Sequence, residues 1–366
     1  MSKIVIVFNV ENGGFEMKKF VVWLLIITLS IVMIGCQSSE NGGGATASND
    51  VTADATEVEE VNEVEEATEV EKAYYPVTFT TYNYAKEPVE VTIEKAPESV
   101  VAVYQNSIET LLALGLEERI VAAAGLDHKV KAEYEEAFST VKYLDAWQPT
   151  KETVVMENPD FILSWRSYFS DKRIGDVGYY HDRNIGTYMA LNSGPVSPRT
   201  IQNECDDILT LGKIFNVNDK AQAIVDQINN RVKEVSDKAK EEEQKSVLII
   251  EFSSETIWSY GETSLGGDMV VKLGAELLSP EGNDLGAEDV ISYNPDTIFV
   301  VYFNGGDKTD IEAETQAMAS LLDNPKYANL DAVKNNKVFA IPLGEMYASG
   351  TRTIDGIERF AKGIYE

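Results

Sequence analysis

The stretch NDKAQAIVDQINNRVKEVSDKAKEEEQK, residues 218–245, organises the rest of the chain. Asn218 or Asp219 is expected to cap a helix here by accepting the free amide hydrogens of its first turn. At about 1.5 Å per residue this helix would be about 40 Å long. A helix of that length is a surface helix, a coiled-coil strand or a strut between two lobes. Its apolar residues recur mostly every three or four positions and so line one face: Ala221, Ile224, Val225, Ile228, Val232, Val235 and Ala239.

The segments on either side of this helix share one pattern. ETVVMENPD, residues 152–160, precedes the apolar run 161–165, and EDVISYNPD, residues 288–296, precedes the run 297–302. Each consists of Glu, six residues, Pro-Asp and then a predicted strand, which indicates an internal repeat. Apolar runs alternate with helical patterns, as is typical of parallel sheets. The predicted fold is α/β, with two Rossmann-like lobes that contain parallel sheets and are joined by a single long α-helix.

Individual elements follow from the same patterns. Residues 75–91 alternate as an edge hairpin does, and residues 350–365 are predicted to form a closing helix. The remaining predicted strands are short apolar runs at 99–104, 119–125, 160–165, 184–190, 246–252, 297–303 and 337–341.

Residues 1–36 are predicted to hold a secretion signal. Met17 and two lysines precede the apolar run 20–35, and translation is expected to start at Met17. The sequence Met-Ile-Gly-Cys at 33–36 resembles a bacterial lipobox, which implies that Cys36 is lipidated and anchors the chain to the membrane. The alternative is an uncleaved membrane helix, but this run is shorter than the about 20 residues that a membrane span needs.

Residues 37–73 are predicted to form a disordered acidic tether. Eleven acidic residues between Glu40 and Glu71 face only Lys72, and such a segment buries too little apolar surface to offset its ordering entropy. The predicted domains that follow are a first lobe at 74–216, the interlobe helix at 217–245 and a second lobe at 246–366.

Composition excludes several classes of function. The net charge of −30 argues against nucleic acid as a partner, because such binding needs positive surface to release counterions. The two histidines, His128 and His181, are too few for a histidine-rich zinc site, and no histidine follows Ser264 to complete a nucleophilic triad. Cys205 lies on the apolar face of a predicted helix, so buried packing is expected and no disulfide. The chain is predicted not to be an enzyme and to need no cofactor.

Together these features resemble one family. The lipobox, the tether, the two α/β lobes, the single joining helix and the repeated Glu-x6-Pro-Asp segments are similar to the substrate-binding lipoproteins of ABC importers, in the class that handles iron-siderophores, haem and cobalamin. This resemblance implies an extracytoplasmic, lipid-anchored monomer that captures a metal chelate or tetrapyrrole and delivers it to a permease dimer. It also implies that Glu152 and Glu288, one in each lobe, dock into basic pockets of the two permease subunits. The alternative is that each glutamate only complements a helix dipole.

The ligand is expected in the cleft beyond the carboxyl ends of the strands. Aromatic faces with a few cations there suit a large, partly anionic chelate, and Arg166 is the preferred partner for a carboxylate or a chelate oxygen. His128 or His181 is a speculative axial ligand to a bound metal. The residues predicted to contact the ligand are Gln105, Trp165, Arg166, Tyr168, Trp258, Tyr260, Tyr302, Tyr347 and Arg352.

Three alternatives stay open from the sequence. A protein for bare metal ions would need three or four protein ligands. A surface adhesion or scaffolding lipoprotein would leave the cleft empty. An enzyme on the same scaffold would require a base in the cleft.

Overall fold

The computed structural model describes residues 74–144, 147–253, 256–304 and 309–366. The predicted signal, Met17, Cys36 and the tether at 37–73 lie outside the described residues. In the part of the chain that is described, no helix combines the length and the apolar character needed to cross a membrane.

The first lobe contains a hairpin and a parallel sheet. Strands β1 (Val77–Tyr82) and β2 (Pro88–Ile93) pair antiparallel, as the alternation at 75–91 predicted. Strands β3 (Val100–Val103), β4 (Ile120–Ala124), β5 (Phe161–Ser164) and β6 (Gly186–Met189) are parallel, in the order β4-β3-β5-β6. The helices between them are α1 (Gln105–Ala113), α2 (Glu135–Phe138), α3 (Lys151–Met156) and α4 (Val177–His181).

Two helices lead from the first lobe to the second. Helix α5 (Ile201–Ile214) packs against α6 (Asn218–Ala239), which is the predicted joining helix. The predicted apolar face is buried or half-buried along its whole length. Its end is corrected, because the helix stops at Ala239 and not at Lys245, so it is about 33 Å long. The predicted cap is also wrong, since the preceding residue, Val217, makes no side-chain cap.

The second lobe is built on a mixed sheet. Its strands are β7 (Ser246–Phe252), β8 (Ile257–Ser259), β9 (Glu276–Leu277), β10 (Asp284–Leu285), β11 (Thr297–Tyr302) and β12 (Val338–Pro342). Its helices are α7 (Leu265–Lys272), α8 (Ala287–Tyr293), α9 (Asp310–Leu322), α10 (Asp331–Lys334) and α11 (Thr353–Tyr365).

The order of strands in this sheet is β10-β8-β7-β11-β12, with β9 also pairing with β7. Strands β7, β11 and β12 are parallel, as predicted, and the short strand β9, which was not predicted, also pairs parallel to β7. The prediction of a wholly parallel sheet is corrected at one edge, where β8 runs antiparallel to β7 and to β10. Only a few residues separate β7 from β8, and so short a connection permits only antiparallel pairing.

The repeated segments fold in the same way in both lobes. Val154 and Val290, each two residues after the repeated glutamate, are fully buried. Asn158 (φ 50°) and Asn294 (φ 41°) both end their helices in the left-handed conformation, which asparagine tolerates better than most residues. The repeat therefore specifies a short helix with one buried anchor and a fixed end.

The closing Asp of each repeat holds the start of the neighbouring strand. Asp160 accepts hydrogen bonds of 2.9 Å from the amides of Glu98 and Ser99, immediately before β3. Asp296 accepts bonds of 2.8 Å from the amide and hydroxyl of Ser246, the first residue of β7. The Pro-Asp pair thus sets the register between two strands in each lobe.

One apolar core extends through both lobes. Phe79 and Phe161 of the first lobe, Ile228 of α6, and Phe299 and Phe360 of the second lobe belong to the same buried cluster. Cys205 is buried in this cluster, as its helical position predicted, and no described residue is bonded to its sulfur. The boundaries 74–216, 217–245 and 246–366 remain predictions, since a shared core gives no sharp division.

Candidate functional site

Aromatic side chains gather where β3 and β5 end. The rings of Tyr104 and Trp165 are 3.6 Å apart between centroids, and Trp147 and Tyr168 lie 6.5 Å and 6.0 Å from Tyr104. The indole Nε1 of Trp165 donates to Asn106 Oδ1 at 2.6 Å. Tyr104 has a φ of 87° with ψ of 154°, a conformation that costs about 1–3 kcal/mol and is found at functional sites. Packing of this cluster holds the tyrosine in that conformation.

Beneath the rings lies a buried carboxyl group. The Tyr104 hydroxyl donates to Asp127 Oδ2, and Asp127 Oδ1 has no partner among the described atoms. Burial raises the pKa of Asp127 to about 8, against the opposing effect of the Arg352 charge. Gln105 fixes this loop, because its Oε1 accepts the amides of Asp127 and His128 at 3.1 Å. Gln105 therefore supports the site from beneath, being almost completely buried itself.

The second lobe contributes a pocket of about 370 Å³. Trp258, Tyr260 and Tyr347 line it, together with Arg199 and glycine-containing turns. The Tyr347 ring lies 5.7 Å from Trp165, so the pocket adjoins the aromatic cluster of the first lobe. Trp258 is 44% exposed, and its indole is available to a ligand.

Arg199 is the cation of this pocket. Its Nη2 donates to the Tyr347 hydroxyl at 2.8 Å, its Nε donates to the Asn192 carbonyl oxygen at 2.8 Å, and its guanidinium lies 4.4 Å from the Tyr347 ring centroid. All these partners are neutral, and no carboxylate of the described residues pairs with it. Within the described residues its positive charge is therefore not paired with a carboxylate.

Arg166 approaches the same place from the first lobe. A Cβ placed on Gly194 would lie 3.8 Å from Arg199 Nη2 and 3.9 Å from Arg166 Cδ, so both arginine side chains pass one glycine. Arg166 Nε donates to the Tyr84 carbonyl oxygen at 3.0 Å and its guanidinium lies 4.5 Å from the Tyr84 ring centroid. Within the described chain it also has only neutral partners.

Arg352 is in a different situation. It is buried and makes two hydrogen bonds to the Glu109 carboxylate, of 2.5 Å and 2.7 Å, and a third of 3.0 Å to the Lys129 carbonyl oxygen. Its charge is compensated inside the protein. A direct contact between Arg352 and a ligand stays a prediction that this geometry disfavours.

Two predicted tyrosines are also committed to protein contacts. Tyr168 is buried and donates to the Trp147 carbonyl oxygen at 3.1 Å. Tyr260 donates to Glu251 at 2.5 Å, and burial raises the pKa of its hydroxyl. The Tyr260 ring lines the pocket and the Tyr168 ring packs near Tyr104, whereas both hydroxyls are occupied.

The two histidines occupy unlike environments. His128 comes from the first lobe and bonds Asp310 Oδ1 of α9 through Nδ1 at 2.8 Å, with the Tyr302 ring 6.3 Å away. It joins the two lobes at the cleft, and its buried Nε2 has no described partner. His181 bonds Thr187 at 2.9 Å and lines a separate cavity near the amino ends of β5 and β6, where burial lowers its pKa. Among the described residues no three metal-binding side chains group together.

Glu152 and Glu288 are exposed in the first turns of α3 and α8. Hydrogen bonds from its own amide and from Thr150 lower the pKa of Glu152. Neither glutamate forms an ion pair with a described cation. Both side chains are therefore open to a partner from outside the described chain.

Comparison with known proteins identifies the family. A model of the periplasmic binding protein family matches residues 100–343, which is well over half of the chain. The chain belongs to this family. Its members are the substrate-binding components of ABC transporters and not enzymes, so the predicted binding role is confirmed.

Relatives of this binding protein cover most of its length. An uncharacterized ABC transporter substrate-binding lipoprotein, YvrC of Bacillus subtilis (strain 168), is 22% identical over 359 residues, covering 95% of this chain and 98% of the relative. The petrobactin-binding protein YclQ of the same organism is 26% identical over 284 residues, covering 75% and 82%. A periplasmic binding protein from Veillonella parvula DSM 2008 has a solved structure with a TM-score of 0.73 and 32% identity, covering 79% and 92%.

Sequence reasoning missed Arg199. It lies in the loop between β6 and α5, away from the strand ends at which ligand contacts were expected. The sequence did contain one indication of its role. Arg199 lies between Pro198 and Thr200, the residue that caps α5, and a side chain next to a capped helix start is held in a defined position.

Proposed function

We propose that this binding protein captures an anionic iron chelate in the cleft between its lobes. The observation that carries the proposal is that Arg199 Nη2 and Arg166 Cδ both lie close to Gly194, and that no described carboxylate pairs with either arginine. Both guanidinium groups carry a positive charge in a chain of net charge −30. They match a ligand with at least two negative oxygens, because arginine binds carboxylates in a fixed, often bidentate geometry.

The surrounding aromatic rings fit the rest of such a ligand. Trp165, Trp258 and Tyr347 present flat faces around the cations, and rings of this kind bind the organic shell of a chelate through stacking and apolar contact. The pocket of about 370 Å³ is within the range of small-molecule sites. The relative YclQ, which is named for binding petrobactin, supports a siderophore before haem or cobalamin.

Delivery to the transporter is proposed to use Glu152 and Glu288. Both are exposed on helices that the repeat makes equivalent, and a pair of carboxylates fits a partner with two basic pockets. The lobes are expected to move little when ligand binds, because one apolar core extends through both. Small-angle scattering that shows a large compaction with ligand would contradict this expectation.

Anchoring is proposed to occur through Cys36 on the outer face of the cell membrane. The relative YvrC, named a lipoprotein, aligns with 95% of this chain. A Cys36→Ser variant is expected in the medium and not in the membrane fraction. Mass spectrometry of the N-terminal peptide would identify the lipid directly.

The ligand is tested by fluorescence titration with ferric siderophores, haem and cobalamin. Trp147, Trp165 and Trp258 all lie at the cleft, so quenching reports on this site. We expect saturable quenching by a carboxylate-bearing ferric siderophore that is at least about ten-fold weaker in Arg199→Met. Arg183→Met is the matched control, because Arg183 stacks on Tyr179 at 3.8 Å on the outer surface. If none of these ligands quenched the fluorescence of the folded protein, the proposal would be contradicted.

A further inference from the structure

The two helices that carry Glu152 and Glu288 also carry exposed apolar side chains. Met156 on α3 is 78% exposed, and Ile291 on α8 is 46% exposed. Tyr293, at the end of α8, is exposed as well. Helix α3 has only six residues and α8 only seven. These two short helices nevertheless hold three of the ten large apolar side chains that are exposed in the described chain.

The apolar residues lie on the same helix faces as the glutamates. Met156 follows Glu152 by four positions and Ile291 follows Glu288 by three, and both spacings bring side chains together on a helix surface. Val154 and Val290 point inward between them. Each helix therefore directs one carboxylate and one apolar group outward together.

Core packing does not account for these side chains. The fully buried core contacts of the two helices are supplied by Val154 and Val290, with Val155 and Ala287 packed at the edge of the core. Met156 and Ile291 belong to none of the buried clusters. An apolar group beside a charge, on a surface repeated in both lobes, is instead typical of a protein interface, in which apolar contacts are bordered by polar ones. Methionine in particular adapts its shape to a partner surface.

We propose that each lobe makes a two-part contact with the transporter, a carboxylate together with an apolar side chain one helical turn away. The pairs are Glu152 with Met156 and Glu288 with Ile291. The partner is the membrane-spanning pair of the importer, and at each of two places it presents a cationic side chain beside an apolar recess. This inference rests on the proposed function, because it takes the docking partner to be the importer.

The partner chemistry follows from charge and from number. Two anionic sites on a strongly acidic protein attract a basic surface, and their equivalence in the repeat fits two copies or two halves of one partner. The apolar component adds contact that salt does not screen, whereas the attraction between exposed charges is screened at high ionic strength. Docking is therefore expected to survive salt concentrations that would remove a purely ionic contact.

The test places a photo-crosslinking amino acid in the full chain at position 156 or 291, in cells that express the transporter. Positions 271 and 322 are matched controls, because Val271 and Leu322 are each 46% exposed but lie on α7 and α9. We expect crosslinks from 156 and 291 to a membrane-spanning transporter subunit, and none from 271 or 322. Crosslinks of equal yield from all four positions, or none from 156 and 291, would overturn the inference.

Substitutions separate this inference from the docking proposal itself. Met156→Ser and Ile291→Ser are each expected to weaken the complex with the reconstituted transporter about ten-fold at 0.5 M salt, with chelate binding and melting temperature unchanged. If Glu152→Gln and Glu288→Gln weaken the complex while the serine variants do not, the two-part contact is wrong and glutamate docking stands. If none of the four variants weakens the complex, the two-part contact and the glutamate docking are both wrong. Ligand capture is tested separately, by the fluorescence titration.

Discussion

Arg352 and the pair Arg166 and Arg199 lie near the same cleft, but the protein treats their charges in opposite ways. Arg352 is buried against the Glu109 carboxylate, while Arg166 and Arg199 contact carbonyl oxygens, a hydroxyl and aromatic rings. Arg352 thus belongs to the scaffold, and the other two have charge left for a ligand. In this cleft, a cation is therefore available to a ligand only when no internal carboxylate is paired with it.

The largest effect is expected when the buried pair is broken. Arg352→Met leaves the Glu109 carboxylate buried without its cation, and the free energy of unfolding should fall by about 3–5 kcal/mol. Urea unfolding measures this loss. The free energy of unfolding of the double variant Glu109→Gln/Arg352→Met is expected to fall by less, because neither charge of the pair is left buried. If the free energy of unfolding of Arg352→Met fell by less than about 1 kcal/mol, Arg352 would belong with the cations that are available to a ligand.

The next effect concerns ligand affinity. Arg199→Met should weaken the binding of an anionic ferric chelate by about 10- to 100-fold, because a hydrogen bond to a charged group contributes about 1.5–3 kcal/mol. Its unfolding free energy should change by less than about 1 kcal/mol, since its present partners are neutral. Titration and urea unfolding of the same preparation separate the two quantities. If the variant lost much stability but no affinity, Arg199 would be a structural residue like Arg352 and not a ligand contact.

Glu204 is a buried carboxylate that pairs with no described cation, and it extends the contrast with Glu109. Glu204 accepts bonds from Asn192 Nδ2 at 2.7 Å and from the amides of Ser349 and Gly350 at 2.9 Å and 2.7 Å, and so links both lobes. Burial raises its pKa to about 7. Burial also raises the pKa of the nearby Asp207, and the Glu204 charge raises it further.

The sign of the pH dependence follows from this shift. Between about pH 4.5 and pH 7 the folded protein binds more protons at Glu204 than the unfolded chain does, so stability should fall as the pH rises through that window. The contribution of this group is on the order of 1 kcal/mol or more. Thermal unfolding from pH 4.5 to pH 8 measures it, and Glu204→Gln should flatten the curve. An unchanged curve in that variant would assign the dependence to other carboxylates.

The smallest effect is expected at the exposed rim of the pocket. Trp258→Ala removes a ring that is 44% exposed, and affinity for the chelate should fall about three- to ten-fold, corresponding to about 0.5–1.5 kcal/mol for one aromatic contact. Stability should stay unchanged. Equal loss of affinity and of stability would mean that the ring belongs to the core.

Much of the fold could be predicted because its signals are local. The apolar stripe of α6, the buried runs of the parallel strands and the repeat around Glu152 and Glu288 each lie within a short segment. The helix end at Ala239 was missed because the following residues, KEEEQK, favour a helix but contain nothing to bury. The short strands β8 and β10 were missed for a related reason, since two or three residues are too few to show alternation.

The site was harder to predict because compensation of charge is a property of contacts between distant residues. Glu109 and Arg352 are 243 positions apart, and nothing in the sequence near Arg352 indicates its partner. Arg199 was missed because its neighbours Tyr347 and Trp258 come from a different lobe. Trp165, Trp258 and Tyr347 were predicted as ligand contacts from strand ends and loops, where the topology itself brings residues together, and their contact with a ligand stays a prediction.

Arg166 and Arg199 are proposed to select an anionic chelate, and a paired titration would test this selectivity. Tryptophan fluorescence would be followed as native protein and the Arg166→Met/Arg199→Met variant are titrated with a carboxylate-bearing ferric siderophore and with a neutral ferric trihydroxamate. We expect the native protein to prefer the anionic chelate and the variant to lose this preference while it remains folded. Equal affinity of the native protein for both chelates, or a preference retained in the variant, would contradict it.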